Sequence, residues 1–245
     1  MRDRLYLSTI DPAAGNVARQ YGLGIEIAEF CTAWNLDREL SATKKTLEKT
    51  LAGISRRLLH GPFNELFPCA IDPKARELTA FRFSQAAALA REYGATKLVL
   101  HGGFNPQMYY RQWYVEQSAA FWREFLAKLP EGLTVCVENV LEPTPDMLLD
   151  ILWGVDDPRL RLCLDVGHVN AYSKVPAKTW IAESGAYLSH LHIHNNDSSW
   201  DTHSALFEGT LPIRELLETA MEKVDVTATL ELPDCLPSVK WLLEE

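Results

Sequence analysis

Nine residues of the kind that bind metal ions or move protons stand at, or just beyond, the ends of short apolar runs. His60 closes the run in RLLHGPF, His101 that in KLVLHGG, and Glu138 that in LTVCVEN. Asp165 closes the run in LCLDVGH, with His168 three residues on. His194 closes the run in HLHIHNND, Asp201 and His203 follow in WDTH, and Glu231 sits in TATLELP. All 7 histidines of the chain lie at or around the ends of four of these runs. Imidazole and carboxylate together suit zinc, manganese or iron better than magnesium or calcium. A charged group ending an apolar run is costly unless it is paired, hydrogen-bonded or metal-bound. Gathered in one pocket without cations, Glu138, Asp165, Asp201 and Glu231 would repel one another or bind protons. Taken singly, each residue has a plain structural explanation: a histidine packs and hydrogen-bonds, Glu231 pairs with an arginine, Asp165 caps a helix. Their joint occurrence points to metal. In the seventh run His190, His192 and His194 face one way by strand alternation. His194 stands nearest the end and is taken as the ligand, leaving His190 and His192 to deeper hydrogen bonds.

Something must bring these residues together. The runs read as strands over Leu5–Ile10, Leu23–Ala28, Arg57–Gly61, Lys97–Gly102, Leu133–Asn139, Arg161–Val166, Leu188–His194 and Val226–Leu232. Helical patterns lie between them, clearest over Pro73–Tyr93 and Tyr109–Leu129. Eight evenly spaced strand–helix units with no linker predict a single (β/α)8 barrel domain over residues 1–245, in which the strand ends form one rim. An open doubly wound sheet would carry a glycine-rich phosphate loop after its first strand, and Ser8–Asn16 has none.

With 245 residues, 47% hydrophobic and 23% charged, the chain is long enough for one such barrel and ordinary for a globular protein. Its net charge of −9 argues against a partner that is long nucleic acid, which would call for a basic face. Lys44, Lys45 and Lys49 stand beside Glu48 and read as a solvated helix face. The 5 cysteines form no CxxC pair, and Cys136 and Cys163 read as core. No apolar run approaches the ~20 residues that span a bilayer, and the first residues lack a secretory apolar segment. The expectation is a cytoplasmic protein with no membrane partner.

HGPF, HGG, VEN, DVGH, HNND, DTH and LEL, in this order, resemble the endonuclease IV and xylose isomerase-like barrel superfamily from about the third strand to the eighth. In the endonuclease IV branch that resemblance implies three zinc ions. His60 and His101 would bind the first, with Glu138 bridging to the second; Asp165, His194 and Glu231 would complete the second; His168, Asp201 and His203 would hold the third. In the isomerase and epimerase branch it implies one manganese-type ion on Glu138, Asp165, His194 and Glu231. Three divalent ions against four carboxylates leave +2, apt for a phosphate, whereas one ion against three carboxylates leaves −1, apt for a neutral sugar. The DTH segment is not required by an isomerase. The expectation is therefore a phosphoester hydrolase holding two or three divalent ions, zinc before manganese or iron. Glu138 and Glu231 are the candidate catalytic groups, and the substrate is small, phosphorylated or sugar-like. The alternative is a sugar or sugar-phosphate isomerase or epimerase. Phe63, Arg111 and Trp200 are the candidate substrate contacts, aromatic rings making a wall and Arg111 meeting an anion.

Overall fold

In the computed structural model, which describes all residues except 130, 223, 224 and 245, eight parallel strands close into a barrel in sequence order. They are β1 (Leu5–Ser8), β2 (Gly24–Ile27), β3 (Arg57–His60), β4 (Lys97–His101), β5 (Thr134–Glu138), β6 (Leu160–Asp165), β7 (Leu188–Ile193) and β8 (Thr227–Leu230). Each lies within two residues of its sequence-read bounds, because each is an apolar run closed by polar or turn residues. The described helices are α1 (Ala14–Tyr21), α2 (Ala33–Asp37), α3 (Leu40–Thr50), α4 (Pro73–Glu92), α5 (Arg111–Leu126), α6 (Asp146–Val155), α7 (Val166–Tyr172), α8 (Ala177–Ser184), α9 (Ile213–Met221) and α10 (Leu236–Glu244). The start of α4 is written in its sequence: Asp72 accepts a hydrogen bond from the Lys74 amide at 2.8 Å, and Pro73 takes the first helical position.

The apolar residues divide unevenly. Most pack between sheet and helices, around side chains such as Phe83, Trp122, Phe125 and Trp180. Inside the barrel, Val99, Cys136 and Cys163 form a small separate cluster, as expected for the two cysteines. Much of the remaining interior is polar and buried, with Glu26, His190, His192 and Thr229 each at most 1% exposed. Stability thus rests mainly on the sheet–helix layer, and the interior leads up to the rim where the strands end.

Candidate metal centre

The strand ends bring the sequence-read ligands together. Register places His101 beside Glu138, and Asp165 beside His192. Glu138 is central: its Oε2 lies 3.1 Å from His60 Nε2 and 3.4 Å from His101 Nε2, and its Oε1 lies 3.3 Å from His192 Nδ1 and 3.4 Å from His168 Nδ1. Asp165 does two things. One oxygen caps α7 by accepting from the His168 amide at 2.7 Å, and the other lies 3.2 Å from His194 Nε2. Asp201 lies 3.2 Å from His203 Nε2 and 3.3 Å from His168 Nε2.

Among the described residues five sets of donors have their donor atoms within 4.8 Å of one another. Cys163–His190–His192 and His60–His192–Glu231 overlap the three that divide the rim, which are His60, His101 and Glu138; Glu138, Asp165, His192 and Glu231; and His168, His194, Asp201 and His203. Glu138 belongs to two of them. The grouping changes one assignment. His192, not His194, joins Glu138, Asp165 and Glu231, with its Nδ1 3.3 Å from Glu231 Oε2. The pairing of β6 with β7 shifts register between Leu162 and Cys163, which sets His192 level with Asp165. His194 falls beyond the last residue of β7, where its ring stacks on His203 at 3.9 Å between centroids. Gly167 makes room for it, since a Cβ there would come within 1.9 Å of the His194 ring.

Hydrogen bonding decides which ring nitrogen each histidine presents. Nδ1 of His60, His168 and His203 lies 2.9, 2.9 and 2.8 Å from the carbonyls of Gly61, Asn139 and Glu231. Each therefore donates from Nδ1 and turns an Nε2 lone pair toward a carboxylate. A lone pair facing an acceptor is unfavourable unless a cation or proton stands between them, and holding the other nitrogen is how proteins orient metal-binding imidazoles. Glu138 Oε1, His192 Nδ1 and Asp201 Oδ1 are buried without a hydrogen-bond partner, an arrangement that divalent ions would satisfy. The residues present fit such ions. In their absence protons would serve. Burial opposes charge on His168, yet Asp165, Asp201 and Glu138 push it well above the usual imidazole range. Burial likewise works to raise Asp165, but His168 and His194 hold it down to about 2. His203 is raised to about 9, with burial outweighed by Asp201, Glu231 and Asp165. His203 also takes φ +47°, a strained conformation for a residue with a Cβ, of the kind that clusters at functional sites.

The candidate substrate contacts separate. Phe63 lies at the site, its ring stacked on His101 with centroids 4.4 Å apart. Trp200 is 65% exposed beside Asp201 and meets the edge of Tyr172 at 6.2 Å, so it can flank an entering ligand. Arg111 is engaged by carboxylates of the protein itself. Its guanidinium bridges Asp146, at 2.8 Å, and Asp150 of α6. Around it Phe104 and Tyr109 pack inward, leaving Tyr110 exposed. Sequence reading also missed Glu26. Its signal was a lone carboxylate inside GIEI on β2, inward by alternation with no obvious partner.

Comparisons with known proteins agree with this architecture. The chain is 28% identical over 178 residues to the uncharacterized protein MJ1311 of Methanocaldococcus jannaschii, a match covering 67% of this chain but 60% of that relative's length. A D-tagatose 3-epimerase-like protein superposes with TM-score 0.77 at 21% identity, covering 97% of this chain and 93% of its own. The TTHB071 protein of Thermus thermophilus, from a crystal soaked with zinc chloride, superposes with TM-score 0.76 at 24% identity, covering 100% of this chain and 97% of its own. The family model describing a xylose isomerase-like TIM barrel matches residues 17–243, and the chain belongs to that family.

Proposed function

We propose that this protein is a divalent-metal-dependent isomerase or epimerase acting on a small sugar-like molecule. The observation that carries this reading is the group Glu138, Asp165, His192 and Glu231 at the barrel rim. One divalent ion against its three carboxylates leaves −1, which suits a neutral polyhydroxyl substrate. A bound ion would polarise a carbonyl or hydroxyl oxygen and fix its orientation. Glu138 reaches this group from the end of β5, and Glu231 from just beyond β8. One would take a proton from a carbon beside the oxygen, and the other would return one to the same or the adjacent carbon, so that no atom is gained or lost. Phe63 and Trp200 would flank the ring. The resemblance to a D-tagatose 3-epimerase-like protein supports this substrate class, and the zinc-soaked relative supports zinc among the ions that nitrogen and oxygen donors favour. The five free thiols suit a reducing compartment, and a cytoplasmic location belongs to the same proposal. No helix among the described residues is long and apolar enough to cross a membrane.

A second reading has one observation in its favour. The groups His60–His101–Glu138 and His168–His194–Asp201–His203 exceed what a one-ion proton transfer needs. Two or three ions would leave the site positive and suit phosphoester hydrolysis. The test is a zinc and manganese titration of purified protein, paired with panels of ketoses, aldoses and phosphoesters. Sugar interconversion with one ion essential supports the first reading. Phosphoester cleavage without sugar turnover overturns it in favour of the second.

A further inference from the structure

Glu26 is a carboxylate inside the barrel that the proposed centre does not use as a ligand. Both of its oxygens are engaged. Oε1 lies 2.9 Å from His192 Nε2, while Oε2 lies 3.0 Å from His190 Nε2 and 2.5 Å from Thr229 Oγ1. Below it, Lys97 Nζ donates to Thr227 Oγ1 at 2.9 Å, and the same oxygen lies 2.7 Å from His190 Nδ1. These contacts form one chain through the barrel interior, from Lys97 at the start of β4 to His192 at the rim.

The bond directions in that chain follow from its ends together with the shorter of the competing contacts. Lysine can only donate, so it occupies an acceptor position of Thr227. The Thr227 hydroxyl then donates to His190 Nδ1, which is far closer than the alternative acceptor, the Ser189 carbonyl at 3.5 Å. His190 must therefore carry its proton on Nε2, where it donates to Glu26. An ionised carboxylate only accepts, so His192 likewise donates from Nε2. That leaves the Nδ1 of His192, with no hydrogen-bond partner, facing Glu138 and Glu231 at 3.3 Å and Asp165 at 3.9 Å. The contrast with the other ligand histidines matters. His60, His168 and His203 are set by backbone carbonyls, which no substitution removes, whereas His192 is set by a side chain.

Resting on the metal-centre reading above, we infer that Glu26 is a positioning residue that fixes the ring and tautomer of His192, so that Nδ1 is delivered as a donor to the group formed with Glu138, Asp165 and Glu231. It touches neither substrate nor ion.

Glu26→Gln tests this. The amide keeps the volume but sets one oxygen and one NH2 against two imidazole N–H groups, so one ring must give up its bond. The probes are Zn2+ and Co2+ alone, titrated into chelator-stripped protein. Affinity for the first ion should weaken about 10- to 100-fold, and the Co2+ absorption band should shift. Long-range 15N–1H correlations of zinc-loaded wild type should place the His192 proton on Nε2, and that signature should weaken in the variant. Glu26→Asp retains the carboxylate and should recover part of both. A residue that only supported the fold would lower Tm without moving the His192 signature, and Tm is measured alongside. Wild-type affinity and an unchanged Nε2–H signature in Glu26→Gln, with the wild type binding its ion, overturn the positioning role alone. A wild type that takes up no ion overturns the metal-centre reading beneath it.

Discussion

Glu138→Gln is the sharpest single perturbation of the proposed centre, because Glu138 alone is common to the His60–His101 group and the Asp165–His192–Glu231 group. The change preserves shape and keeps an amide oxygen, but takes the second group from three carboxylates to two. Donor atoms there lie no more than 4.8 Å apart. At that separation a unit charge is worth about 3.5 kcal/mol against another at an effective dielectric of 20. A dication would feel more, while the retained dipole of the amide returns part of it. A loss of at least about a hundredfold in affinity, roughly 2.8 kcal/mol, follows for an ion held by either group. The assay is competition against a chelating dye, with turnover measured at saturating metal. Turnover should fall by at least about a hundredfold as well, since Glu138 is also a proposed proton carrier. Circular dichroism should be unchanged, because the core is packed between sheet and helices. Wild-type affinity and turnover in this variant would refute the assignment of the centre.

Three further outcomes follow from the same geometry. Asp201→Ala combined with His203→Ala should abolish the ion capacity of the third group while sparing the ion on Glu138, Asp165, His192 and Glu231. Sugar turnover should survive with damage mainly in KM if one ion suffices, and loss of all turnover would favour the multinuclear reading. Removing metal with a chelator should lower Tm. An ion present at 100 times its Kd stabilises by about 2.7 kcal/mol, which is roughly 5–10 °C for a domain of this size, and a Tm indifferent to chelation would argue against resident ions. Arg111→Ala should cost no more than about 1 kcal/mol in thermal or urea unfolding, since its pairs with Asp146 and Asp150 are about half exposed. It should leave KM unchanged, and a large rise in KM would return Arg111 to the binding site.

What the sequence disclosed and what it withheld divide along a physical line. Strand ends are local features, an apolar run meeting a polar residue, so His60, His101, Glu138, Asp165 and Glu231 were legible one by one, and the barrel gathered them. Depth along a strand is not local. Alternation puts His190, His192 and His194 on one face but cannot say which is level with Asp165. That depends on the β6–β7 register and its shift between Leu162 and Cys163. The partners of Glu26 were hidden for a similar reason: His190 and His192 lie 164 and 166 residues away. Arg111 misled because two aspartates one helical turn apart on α6 take its charge, and nothing near it in sequence announces them.

The same distances bear on why the centre tolerates so much buried charge. Carboxylates and imidazoles at the rim could simply exchange protons and settle as neutral pairs. Several features work against that outcome. Backbone carbonyls hold the Nδ1 protons of His60, His168 and His203, and Glu26 holds His192 by Nε2, so the free nitrogen of each ring is aimed at a carboxylate before any ion arrives. Asp165 is further committed by capping α7, which costs an N-cap bond if the carboxylate turns away. The groups are therefore arranged as donors in advance, and ordering them would cost little when an ion bound. Most of the apolar packing lies between sheet and helices rather than inside the barrel, so substitutions in this polar interior leave the apolar core itself untouched. Substitutions at Glu26 and Glu138 therefore report on the proposed centre when Tm is followed alongside ion affinity.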